Sequence, residues 1–143
     1  MNRLKDKIKE IEEYLQELSE IIPSSLEQYI SEFKTKAACE RYSEKIIEAI
    51  IDLSFLIIKK YSFKIPEEDK QSFDILKEEN IISNELCEKL KDAKGMRNII
   101  SHEYGKIDDE IVFDSIKDEL TIDTKEFIKQ IKKLLYKKSN INY

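Results

Sequence analysis

The stretch IIEAIIDLSFLII, residues 46–58, puts aliphatic side chains on almost every side of a helix, with Glu48, Asp52 and Ser54 as its polar members. A segment apolar on more than one side belongs at the centre of a helical bundle or against a partner as well. Upstream, Leu26, Tyr29, Ile30, Phe33 and Ala37 keep the same rhythm, so one long helical segment is expected from about Ser25 towards Lys60. Before it, Leu4, Ile8, Ile11, Leu15, Leu18 and Ile22 recur at steps of three and four, one stripe of a first helix ended by Pro23.

Downstream, Ile65-Pro66 interrupts the pattern, and Pro66-Glu67-Glu68-Asp69 reads as the first turn of a short helix through Phe73 and Leu76. Proline is tolerated there, and acids complement the helix dipole. Ser83 is placed to cap the next helix, with Leu86, Leu90 and Ala93 on its apolar side. Asp108 and Asp109 lead into a segment from Ile111 to Leu120, and Asp123 is expected to cap a last helix carrying Phe127, Ile128, Ile131, Leu134 and Leu135. With two Gly and two Pro in 143 residues, a many-stranded fold lacks its turns. The expected architecture is an all-α bundle of about five helices in one domain, residues 1–138, with 139–143 as a frayed tail.

Charge and composition narrow the function. Hydrophobic residues are 41% and charged residues 38% of the chain, and its net charge is -5, against the basic balance of a general nucleic-acid coat protein. No apolar run is long enough to span a bilayer and the N-terminus is charged, so a cytoplasmic protein without a membrane partner is expected. Cys39 and Cys87 stand alone, with no CxxC spacing, so buried inert thiols are expected rather than zinc or a disulfide.

The scarce residue types gather in GMRNIISHEYG, 95–105, which holds both glycines, the one histidine and one of three arginines. From Lys89 to Lys106, five bases (Lys89, Lys91, Lys94, Arg97, Lys106) face two acids (Asp92, Glu103), a local positive site suited to phosphate on an acidic protein. Arginine clamps phosphate with a planar pair of donors and histidine moves protons near neutral pH. On one straight helix, positions 97 and 104 lie within about 20° of each other, whereas 97 and 102 diverge by about 140°. Either the helix distorts or ends near Gly105, with both glycines freeing the backbone, or two copies share a cleft. The second arrangement supplies two imidazoles, one to take a proton from an attacking 2′-hydroxyl and one to give a proton to the leaving group. Plainer readings stand beside these: a lone histidine can cap a helix, an arginine stem can cover apolar surface, and Tyr104 can be a half-buried ring. A Ser101–His102 nucleophile is disfavoured, because adjacent side chains on a helix diverge.

The run Arg97-Asn98-Ile99-Ile100-Ser101-His102-Glu103-Tyr104 resembles the R-x4-H-x-Y signature of the HEPN superfamily, specifically the HepT toxins paired with MntA-type minimal nucleotidyltransferases. The helix holding Glu48 and Asp52 resembles the family's E-x3-D helix, and the likeness covers nearly the whole chain. It departs at Met96, where the family often has an aromatic, and at Ile100 and Ser101, which replace a small aliphatic pair. The resemblance implies a HEPN-like ribonuclease acting on RNA as a two-fold homodimer, needing no metal and no cofactor. Arg97 and His102 would be catalytic, with Asn98, Glu48 and Asp52 in support. It also implies that a cognate nucleotidyltransferase antitoxin silences the nuclease by transferring AMP to Tyr104. The alternative is a non-catalytic subunit that binds a nucleotidyltransferase or a nucleotide.

Overall fold

A computed structural model describes residues 2–101 and 108–141. Every regular element among them is helical: α1 (Asn2–Ile21), α2 (Leu26–Ser31), α3 (Phe33–Lys60), α4 (Asp69–Glu78), α5 (Asn84–Ser101), α6 (Asp109–Asp114) and α7 (Thr121–Ile141). The expected all-α bundle is therefore present, with α3 at its centre, packed by α1, α2, α4 and α5. The stripe of α1 is buried from Leu4 through Leu18, and along α3 Ile46, Ile47, Ile50, Leu53 and Ile57 are at most 2% exposed. Phe73 of α4 and Phe127 of α7 complete a core closed to water.

Three boundaries differ from the sequence reading. The long segment is two helices, because Glu32 leaves helical geometry (φ -102°, ψ 80°) between α2 and α3; Ser25 caps α2 through the Gln28 amide. Pro66 is buried in the connection rather than on a first turn, since Glu68 is extended (φ -148°, ψ 168°) and α4 starts after it. Asp123 caps nothing. The chain passes from α6 through a π-helical turn, Ser115–Leu120, straight into α7 with helical angles at both joints. No glycine or proline stands there to stop it. Ser83 does cap α5, accepting from the Leu86 amide at 3.1 Å.

α3 and α4 end alike. At the close of α3, Ser62 takes a left-handed conformation (φ 56°), its N–H donating to Lys59 O and the Phe63 N–H to Ile58 O at 2.9 Å. At the close of α4, Asn80 (φ 60°) repeats this, with the Ile81 N–H donating to Leu76 O at 2.8 Å. These six-to-one and five-to-two bonds satisfy carbonyls that a helix end otherwise leaves orphaned. Glycine is the usual residue there, so its absence hid both turns.

Candidate active site

The site grows from the contact of α5 with α3. Residues 94, 97 and 98 are spaced so that one flank of α5 faces both α3 and the start of α4. Arg97 reaches across to α3, its Nη2 donating to Glu48 Oε1 at 3.1 Å, and its Nη1 lies 3.4 Å from Asn98 Oδ1. The same Asn98 oxygen accepts from Lys94 Nζ at 2.9 Å, and Lys94 is paired in turn with Asp69 of α4 at 3.6 Å. A chain of alternating charge thus runs Asp69, Lys94, Asn98, Arg97, Glu48. The Arg97 side chain is 23% exposed, and its Nε–H is buried without a hydrogen-bond partner among the described residues. An orphaned donor of this kind costs about 1–3 kcal/mol.

Of the expected site residues, Arg97, Asn98 and Glu48 come together. Asp52 is exposed and pairs with Lys7 of α1 at 3.6 Å. His102 and Tyr104 lie outside the described residues, as do Gly105, Lys106 and Glu103, so the bend looked for near Gly105 cannot be placed. Gly95 is an ordinary helical residue of α5: it has no positive φ, and a Cβ there would meet nothing within 4 Å. It therefore does not free the backbone.

The positive site read from local counting is also revised. Lys89 pairs with Glu85 at 3.2 Å and with Asp123 at 3.9 Å, Lys91 pairs with Asp74 and Glu88, Lys94 with Asp69, and Arg97 with Glu48. Each described cation of the motif region has a carboxylate beside it. Three of these acids, on α3 and α4, are far away in sequence. The hydrogen bond to Asp74 raises the Lys91 ammonium further above its ordinary range, and burial raises the Cys87 thiol. Both cysteines are buried and free; burial pushes Cys39 up to about 11, so it stays an inert thiol.

Below the site, Asp108 caps α6 by accepting from the amides of Glu110 and Ile111, and Asp109 pairs with Lys36 of α3 at 2.9 Å. Half-buried Glu40 adjoins this pair; its carboxyl is raised first by burial and further by Asp109, while Lys36 opposes. The chain is thereby fastened where it emerges from the motif. Lys94 and Asp69 were not singled out as site residues from sequence; the i to i+4 spacing of Lys94 and Asn98 was the available signal.

A set of helices packed around a central α3, with an arginine of α5 locked to a glutamate of α3, fits a HEPN-type bundle. Residues 11–133 match the family model described as Ribonuclease HepT-like, and the chain belongs to that family. It is similar to the tRNA nuclease HepT of Aphanizomenon flos-aquae, 31% identical over 72% of this chain and 70% of that one. It is similar also to the mRNA nuclease HepT of Shewanella oneidensis, 33% identical over 62% of this chain and 66% of that one. Among solved structures it resembles a tri-AMPylated Shewanella oneidensis HEPN toxin in complex with an MNT antitoxin. That likeness has a TM-score of 0.83 at 26% identity, over 90% of this chain and 96% of the toxin. No helix among the described residues is long and apolar enough to cross a membrane.

Proposed function

We propose that this protein is a cytoplasmic endoribonuclease toxin that cleaves RNA as a two-fold homodimer and is silenced when a nucleotidyltransferase antitoxin adds AMP to Tyr104. The observation that carries the reading is the Arg97 guanidinium, held by Glu48 and Asn98 with its side chain still 23% exposed, five residues before the one histidine. A partly exposed guanidinium can donate to a phosphate oxygen.

In this mechanism the 2′-hydroxyl attacks the adjacent phosphorus while one His102 imidazole removes its proton. His102 of the second copy protonates the departing 5′-oxygen, and Arg97 stabilises the negative charge gathering on the non-bridging phosphate oxygens. Side chains do all the proton transfer, so no metal is required. The dimer reading draws support from α5, where Gly95 and Ile99 share an open face one turn apart and Ile99 is 55% exposed. Adenylates on Tyr104 would bring negative charge and bulk to a cleft that receives RNA phosphate.

Purified protein incubated with RNA in EDTA tests the proposal. Cleavage that persists in chelator and disappears with Arg97→Ala and with His102→Ala is expected. Absence of cleavage from any RNA supports the non-catalytic subunit instead. Incubation with the partner nucleotidyltransferase and ATP should raise the intact mass by whole adenylates in the wild type and leave Tyr104→Phe unchanged.

A further inference from the structure

Most of residues 46–58 of α3 are buried, yet Glu48, Asp52, Phe55 and Leu56 are not, nor is Lys59 just beyond. At steps of four, three, one and three they form a single open stripe along the helix. Its upper end is the partner of Arg97. About 16 Å further along the axis, its lower end opens into a groove of about 910 Å³ between the first turns of α1, the end of α3 and the connection to α4.

We propose that this groove is a binding subsite for single-stranded RNA, with one unpaired base against Phe55 and Phe63 and the neighbouring phosphates on Arg3 and Lys59. The inference rests on the nuclease reading and adds to it the path the substrate strand takes away from the scissile bond.

Four observations carry it. The groove adjoins the site along the chain on two sides: Asp52 is one turn from Glu48, and Pro66, in its wall, lies three residues before Asp69, the partner of Lys94. Two of its three cations are uncompensated, Lys7 being paired with Glu10 and Asp52. Arg3 and Lys59 make no ion pair among the described residues, whereas Lys89, Lys91, Lys94 and Arg97 all do. The groove therefore offers unpaired positive charge that the described cations of the motif region do not. Its aromatic edge is fixed by backbone, because the left-handed turn at Ser62 ties the Phe63 amide to Ile58 O and sets the ring on Tyr61, centroids 5.8 Å apart at 28°. A rigid aromatic platform flanked by cations is how unpaired bases are held without sequence preference. Last, the lining couples these apolar rings with three cations, Arg3, Lys7 and Lys59, against one acid, Asp52, a balance that suits a polyanion better than an apolar helix.

The test compares a dinucleotide, which offers only the scissile bond, with a single-stranded oligonucleotide of about a dozen residues. In Phe63→Ala, kcat/KM for the oligonucleotide should fall about tenfold, the loss of one stacked base, while the dinucleotide is cleaved as by wild type. In the Arg3→Ala/Lys59→Ala double variant the salt dependence of oligonucleotide binding should flatten by about 1.4 log units per log unit of salt, two single-strand phosphates released. The double variant alters only surface charge, so it decides the matter should Phe63→Ala fail to fold. Unchanged oligonucleotide cleavage overturns the subsite, and so does an equal fall on both substrates, which would mean a disturbed Arg97. Normal cleavage with weakened binding of a second copy or of a nucleotidyltransferase overturns RNA as the occupant. If wild type cleaves neither substrate, the nuclease reading fails alone; fluorescence anisotropy of the labelled oligonucleotide, with and without the groove changes, still decides the subsite.

Discussion

The two halves of α5 are built to different rules. From Asn84 to Leu90 the helix drives Leu86, Cys87 and Leu90 into the core, each at most 3% exposed. From Lys91 to Ile100 no side chain is fully buried, and the helix is held by pairs that cross to α3 and α4. Burial is non-directional and fixes only that a helix packs; a charge chain through Asn98 fixes where one guanidinium sits. The first half therefore supplies stability, and the second supplies position with surface left over for other molecules.

The contrast is broken most directly by Leu90→Ala, which should cost about 2–5 kcal/mol for lost transfer energy and cavity. Half-buried Met96→Ala should cost much less, by urea denaturation. Equal losses would mean that both halves are core. Glu48→Gln sharpens the other side: a partly exposed pair contributes about 0–1 kcal/mol to stability, yet loosening Arg97 should slow RNA cleavage by tenfold or more, measured as kcat. A variant that unfolds with its rate per folded molecule intact would make Glu48 structural.

Gly95→Ala should stabilise the isolated protomer by about 0.5–1 kcal/mol, because the helix gains propensity and the new methyl group meets nothing. Analytical ultracentrifugation alongside would show weaker self-association if a second copy packs on that face. The smallest effect is expected at Glu40. Its folded carboxyl is raised, so its stabilising contribution is complete below the ordinary glutamate range and is lost as pH rises through the raised value. Glu40→Gln should accordingly be more stable than wild type near neutral pH, with the advantage shrinking as pH falls towards 4, followed by thermal melts.

Much of this was legible in the chain because it is periodic. Leu4 to Leu18 announced α1, residues 46–58 announced a central helix, and scarce residues marked Arg97. What stayed hidden depends on contacts distant in sequence or on missing punctuation. Glu48 was read from its helix, but Asp74 and Asp69 could not be matched to Lys91 and Lys94 by counting neighbours, so a neutralised region looked positive. Ser62 and Asn80 end helices without glycine, and Asp123 resembled a cap because a π-helical turn leaves no mark in composition.

That turn has its own outcome. Two helices hinged at Asp123 would let the chain after the motif swing independently, but α6 and α7 are one rod fastened at Asp108 and Asp109. The joint between the motif's exit and α7 is therefore stiff, and α7 packs along α5, the helix that carries Arg97.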